Sequence, residues 1–221
     1  MSPKRILDSA LNKAIDILGI CDHNSTANSP AIMKAAQGKK IQVIPGMEVT
    51  SEEEVHVLAL FDDIDNALKL QSRVYSNLPG ENDQKAFGMQ VIVNEKEEVL
   101  GFNDKLLIGA TTISLEDIIR LIHSLDGLAI ASHIDREAFS IVSQLGFIPQ
   151  ELGLDALEIS PKMTFEQARK RYQTPFPLTT SSDAHDPEDI GKSFTSFLLE
   201  EASVAEIKKA LRNEDGRRVI H

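Results

Sequence analysis

With one cysteine, Cys21, in 221 residues, the chain closes no disulfide on itself, and a reducing cytosol is the compartment this predicts. Basic residues are scarce. Against 34 Asp and Glu there are 23 Lys and Arg, a net charge of −11, which argues against holding duplex DNA tightly by neutralising phosphates and leaves room only for a local basic groove. No apolar run approaches the ~18 residues that span a bilayer. The amino-terminal MSPKRILDSALNKAIDILGI lacks the continuous apolar core of a signal peptide, and no repeat recurs along the chain. What is present is 42% hydrophobic, with 12 Gly and 9 Pro, as in a compact globular protein. A soluble, cytoplasmic chain forming one domain over residues 1–221 is expected.

Helix and strand signals alternate. Ser2 and Pro3 open a helix running to about Ala14, and Ser29 and Pro30 open a second; ILGIC (17–21), IQVIP (41–45) and Glu54 to Phe61 read as strands. A helix is expected over about 64–76. MQVIV and EEVLGF, separated by NEK, predict a small hairpin excursion around 85–110. Ser114 with Asp117 marks a helix whose polar side carries a solvated His123. GLAIAS, a helix containing Phe139, Val142 and Leu145, DALEIS, a helix capped by Thr164 and Gln167, PLTTS, SFLLE and a last helix from Ser203 complete the alternation. Such interleaving predicts an α/β fold with a largely parallel sheet, open or closed into a barrel. The first element is a helix, so a barrel of strand-helix units would lack its first strand.

In parallel α/β folds chemistry gathers at the carboxyl ends of the strands. Here those ends carry His23 in CDH, Glu48 in GME, His133 in SH, and Asp183 and His185 in DAH; His56 lies within the apolar run EVHVLALF, where an imidazole is costly unless paired or bound. Imidazoles mixed with carboxylates and no thiolate suit Zn, Mn or Fe in a hydrolytic centre. Asp183 and His185, two apart on an extended segment, would point to one side, and Glu48 could bridge two ions. Asp22 could orient a ligand or cap a turn. Arg136, three past His133, could grip a phosphate or sit in the first turn of a surface helix. Glu158 could complete a hydrogen-bond network, and Cys21 reads as a small buried hydrophobe. His221 is the terminus.

The segments ILGICDHNSTAN, VIPGMEVTSEEEVHVLALF, LAIASHIDR and TTSSDAH, in that order, resemble the PHP family, the polymerase and histidinol phosphatase proteins, from about residue 17 to 186. The resemblance implies a distorted (β/α)7 barrel holding two or three divalent ions. It implies that His23 and His185 serve one ion, and that Glu48 bridges two others, with Asp183 on one and His133 and His56 on its neighbour. Family members begin with a strand bearing an HxH pair, whereas no histidine precedes His23. The resemblance therefore implies a chain lacking the first strand, through a start at an internal methionine of a longer protein or as a natural degenerate form, with the ILGIC edge uncovered and open to self-association.

The function expected is a metal-dependent phosphoesterase that hydrolyses a phosphate mono- or diester through a metal-activated hydroxide, with Glu48, Asp183 and Arg136 as catalytic groups and a small phosphorylated substrate. The alternative is a degenerate or truncated PHP-like module that binds a phosphorylated ligand or partner. A deaminase or amidohydrolase on a related barrel would also call for an HxH pair and a mid-chain lysine or carboxylated ligand, and no strand-end lysine stands in this sequence.

Overall fold

A computed structural model describes residues 1–220; His221 lies outside the described residues. The chain opens with helix α1 (Pro3–Asn12), where Pro3 needs no N–H partner and Ile6, Leu7 and Ala10 form the buried stripe. Strand β1 (Ile17–Ile20), helix α2 (Ser29–Ala35), strand β2 (Gln42–Thr50) and strand β3 (His56–Leu60) follow. Helix α3 (Ile64–Ser76) is capped by Asp63, which accepts from the Asp65 N–H. Residues 84–102 form an excursion of helix α4 (Gln84–Phe87) and an antiparallel hairpin of β4 (Val91–Val93) and β5 (Val99–Phe102). The chain returns through α5 (Leu115–Ser124), β6 (Leu128–Ala131), α6 (Ile141–Leu145), β7 (Ala156–Ile159), α7 (Phe165–Tyr172) and β8 (Leu178–Thr180). It closes with β9 (Ser196–Leu198), α8 (Val204–Arg212) and β10 (Arg218–Ile220). Ser114, Thr164 and Ser203 cap their helices at the expected positions.

The main sheet has six strands in the order β1-β2-β3-β6-β7-β8. It is mixed rather than largely parallel, because β3 runs antiparallel to both β2 and β6. The connection through residues 51–55 is too short for the crossover that a parallel pair requires, so the chain reverses. Strand β2 also runs on through Gly46, which places Glu48 inside a strand rather than after one. Phe139 lies outside α6, and SFLLE does not join the main sheet: β9 pairs with β10 as a separate ribbon.

Side chains alternate between the two faces. Met47, Val49, Val57, Ala59, Ala129, Ala131, Leu157 and Ile159 pack into one core with residues of α3, α5, α6 and α7. Ile44, Leu128, Ile130 and Ala156 project from the other face onto Val204, Ile207 and Leu211 of α8. A third core joins α1 and α2 to β1, β2 and Ile190.

The sheet curls. In a flat sheet, strands five places apart would lie about 24 Å from each other; yet His23, just beyond β1, and His185, just beyond β8, have ring centroids 6.4 Å apart. This is the barrel-like α/β architecture expected, left open, since among the described residues the outer edges of β1 and β8 have no strand partner. The loop after β8 is tied across the opening by Lys13, whose Nζ donates to the carbonyls of Glu188 (2.7 Å) and Ile190 (2.5 Å). Among the described residues no helix is long and apolar enough to cross a membrane.

Candidate metal centre

At one end of the concave face, backbone bonds lock β1 to β2: the Glu48 N–H donates to the Asp22 carbonyl (3.0 Å) and the Asn24 N–H to the Glu48 carbonyl (2.8 Å). His23 is thereby set beside Glu48. Glu48 is buried, and its carboxylate is ringed by imidazoles. Its Oε2 lies 3.2 Å from His23 Nδ1, and its Oε1 lies 3.3 Å from His56 Nδ1 and 3.4 Å from His133 Nε2. Burial opposes ionisation of Glu48, but the His133 and His56 imidazoles, with His23, hold its carboxyl well below the usual carboxylate range. Burial in turn pulls the His23 imidazole below its ordinary value, against the attraction of Glu48.

The donor set fits a divalent cation. His23, Glu48 and His56 each offer a ligand atom, all within 4.8 Å of one another. The Nδ1 atoms of His23, His56 and His133 are buried without a hydrogen-bond partner of good geometry, an arrangement that is costly unless something else coordinates them. Nitrogen and carboxylate donors without thiolate match Zn, Mn or Fe.

Asp183 and His185 are placed differently from the sequence expectation. The segment is not extended, because Asp183 has a φ of +44°. Oδ2 of Asp183 takes the Arg136 guanidinium at 2.5 Å, while His185, its side chain 70% exposed, hydrogen bonds through Nδ1 to the Asp183 carbonyl at 3.0 Å. Arg136 belongs to the turn after β6, its N–H bonded to the His133 carbonyl. His23, Glu48, His56 and His133 thus form one cluster around a shared carboxylate, while Asp183, whose charge reaches His23, is ion-paired with Arg136 and His185 is largely exposed near His23.

Several further residues shape this end of the sheet. Asn24, buried with a φ of +48°, donates through Nδ2 to the carbonyls of Leu107 (2.9 Å) and Gly109 (2.8 Å) and accepts from the Thr50 N–H (3.0 Å). It joins the ends of β1 and β2 to the chain returning from the excursion; the only trace in sequence is an Asn, which tolerates the left-handed region, directly after His23. Asp135 holds the turn after β6 to β7 by accepting from the Ser160 N–H (2.7 Å) and hydroxyl (2.6 Å). Phe139 stacks on the His56 ring, centroids 4.7 Å apart at 14°, and its carbonyl accepts from the His56 N–H at 2.9 Å. Glu158, buried in β7, has a carboxyl pushed up to about 7 by burial and by Glu48 and Asp183, against Ser181 and His133.

At the opposite end of the sheet, His123 is not merely solvated. Its Nε2 lies 2.9 Å from Oδ2 of the buried Asp155, which also accepts from the Ala129 N–H (2.9 Å) and faces Arg212 at 3.4 Å.

The fold and site together define an α/β half-barrel with histidines and a carboxylate gathered at one end of its strands as a candidate divalent-metal centre. The chain belongs to the PHP domain family, whose profile matches residues 1–144, with a PHP-associated region matching residues 166–215. No curated protein matches. Among solved structures it is similar to the lesion-specific endonuclease Q of Pyrococcus furiosus (18% identity, TM-score 0.70), of which 97% of this chain is aligned; the match spans about half, 52%, of the endonuclease chain. It is also similar to a proposed metal-dependent phosphoesterase of Bifidobacterium adolescentis, with 15% identity, 96% of this chain and 91% of the other aligned, and a TM-score of 0.58. An amidohydrolase of Chromobacterium violaceum with bound sulfate aligns over 86% of this chain and 85% of its own, at 19% identity and a TM-score of 0.52. At these identities the structural likeness is one of fold.

Proposed function

We propose that this chain is a divalent-metal-dependent phosphoesterase acting on a phosphate mono- or diester of a small molecule. The observation that carries the reading is the buried Glu48 carboxylate ringed by His23, His56 and His133, whose Nδ1 atoms are buried without a hydrogen-bond partner of good geometry. These four residues, with Asp183 and His185 on the facing loop, would hold the ions, two or three when the site is full. Bound divalent ions supply Lewis acidity, lowering the pKa of water and offsetting charge on phosphate oxygens. The chain's own residues supply the rest. Glu48 neutralises the centre, and burial excludes competing water from His56 and His133. Arg136, held against Asp183 in the resting protein, is positioned to exchange that carboxylate for a substrate phosphate and fix its orientation.

The test combines metal content with turnover. Protein purified without chelator and loaded with Mn or Zn should hold ions by elemental mass spectrometry and release phosphate from a panel of mono- and diesters. Glu48→Ala and Asp183→Ala should abolish release while leaving circular dichroism unchanged. Undiminished turnover in both variants would refute the assignment. A second reading, phosphate binding without turnover, is favoured by the Arg136–Asp183 ion pair, which occupies a ligand carboxylate; it predicts phosphate binding that Arg136→Met removes and no hydrolysis in the loaded wild type.

A further inference from the structure

We infer that Asn24 is a positioning residue for the metal centre, one that makes the placement of His23 conditional on the docking of the excursion. The inference rests on the metal-binding part of the reading above and adds to it a coupling between the centre and a surface element. The His23 side chain is loosely held, being 34% exposed and meeting Glu48 at 3.2 Å. Its backbone is fixed by its neighbours, since the Asp22 carbonyl accepts from the Glu48 N–H and the Asn24 N–H donates to the Glu48 carbonyl. Asn24 also carries side-chain bonds in two further directions. Completely buried, it donates both Nδ2 hydrogens, to the carbonyls of Leu107 (2.9 Å) and Gly109 (2.8 Å), and accepts from the Thr50 N–H (3.0 Å). Thr50 lies two residues beyond Glu48 on β2. One amide thus ties the His23 turn to the Glu48 strand, and both to the segment returning from the excursion.

The left-handed backbone of Asn24, φ +48°, calls for Gly or Asn. That alone does not account for the side chain, because glycine would suit the backbone yet leave the Thr50 N–H and two carbonyls without this partner. What the amide reaches is an element with no core of its own. No residue from 81 to 110 is buried, and Phe87, Met89, Leu100 and Phe102 are exposed. A two-stranded hairpin without buried side chains is marginal in water, so polar ties set its position. Several of these ties start in the loop just after His23. Asn28 donates from Nδ2 to the Val91 carbonyl (3.0 Å) and accepts from the Val93 N–H (3.0 Å). Ser25 Oγ meets the Tyr75 hydroxyl (2.9 Å), which also accepts from Asn103 Nδ2 (2.5 Å). The Lys34–Glu95 ion pair, by contrast, is solvent-exposed and adds little. Residues 24–28 and the excursion therefore shift together, and Asn24 passes the shift to His23. By linkage, docking of the excursion strengthens metal binding and metal binding strengthens docking by the same factor.

The experiment titrates cobalt(II) alone into metal-free protein, followed by its visible absorption band, for wild type, Asn24→Gly, His23→Ala and the double variant. Asn24→Gly keeps the backbone conformation and removes only the side chain. It should weaken cobalt binding about tenfold or more with circular dichroism unchanged, and should have no further effect in the His23→Ala background. Amide hydrogen exchange over residues 80–110 supplies the second readout: cobalt should raise protection there in wild type and leave it unchanged in Asn24→Gly. Asn28→Ala cuts a tie outside the cluster and tests the coupling even where Asn24→Gly does not fold; it should lower cobalt affinity several-fold. Wild-type affinity in Asn24→Gly or in Asn28→Ala, an equal loss in the His23→Ala background, or exchange over residues 80–110 that does not respond to cobalt would each overturn the inference. Wild type that binds no cobalt would overturn it together with the metal reading. These variant effects in a protein that hydrolyses no ester would support the inference and remove the phosphoesterase reading alone.

Discussion

Glu48 Oε1 lies 3.3 Å from His56 Nδ1 although the two residues belong to strands that run in opposite directions. The register explains how. Thr50 pairs with His56 and Glu48 with Leu58, so the residues two before Thr50 and opposite it share one face at one end of the pair. A parallel β3 would have put its first residue at the far end of the sheet. The reversal is what brings a histidine from the start of a strand to ligands from the ends of the others.

Glu48→Gln keeps the shape of the side chain and removes its charge. The variant should lose most of its bound metal, read as ions per chain by elemental mass spectrometry, because His23, His56 and His133 would face a neutral amide. Occupancy equal to wild type would show that the centre is built elsewhere.

Much of this site could be read from sequence because its ligands abut apolar runs: His23 after ILGI, His133 after GLAIA and Asp183 after PLTT mark strand ends by contrast in polarity alone. The helix caps Ser114, Thr164 and Ser203 were equally visible, since capping is a local interaction. Strand direction was not. Whether β3 runs with or against its neighbours depends on the few residues of the 51–55 turn and on the packing of β6, and a periodicity of two is the same in either direction. The pairing of His123 with Asp155 and the stacking of Phe139 on His56 were hidden for a related reason: both depend on residues brought together only by the tertiary fold.

Glu158 gives the metal-free protein a pH dependence of definite sign. Its folded-state pKa of about 7 lies above the ordinary glutamate value, so the folded state binds more protons than the unfolded chain between roughly pH 4.5 and 7. Stability should therefore fall as pH rises through that window, by about 3 kcal/mol from this group, and then level off. Urea denaturation at pH 5 and pH 8 should show the difference in wild type and lose it in Glu158→Gln, which should be the more stable protein at pH 8.

Gly46 is needed because β3 passes too close for any side chain. A Cβ there would lie 2.4 Å from the Ala59 carbonyl oxygen and 2.9 Å from Leu60 Cδ2, so Gly46→Ala must push β3 away from β2. We expect a loss of about 1–3 kcal/mol in urea melts, together with weaker metal binding as His56 moves with its strand. Gly101→Ala, where a Cβ meets nothing within 4 Å, is the matched control and should change neither quantity.

Asp155 sets the acid side of the stability curve. Burial opposes its ionisation, but the hydrogen bonds from His123 and the Ala129 N–H lower its pKa below the ordinary aspartate value. Its contribution is complete above about pH 4 and is lost as pH falls through the lower folded-state value. Asp155→Asn should cost about 1–3 kcal/mol at neutral pH, and its thermal melts should converge on those of wild type under strongly acidic conditions.

The place of β3 in the sheet also bears on how the protein is made. Its two neighbours are β2, which precedes it by one turn, and β6, which begins at Leu128 after a helix, the excursion and another helix. During synthesis β3 therefore emerges with one edge satisfied and the other open, and Val57, Ala59 and Leu60 stay without that partner until the chain has grown past β6. His23, Glu48 and His56 all precede β6 in the chain, while His133 and Asp183 follow it. Over the interval between β3 and β6 this edge is open to non-native strand pairing.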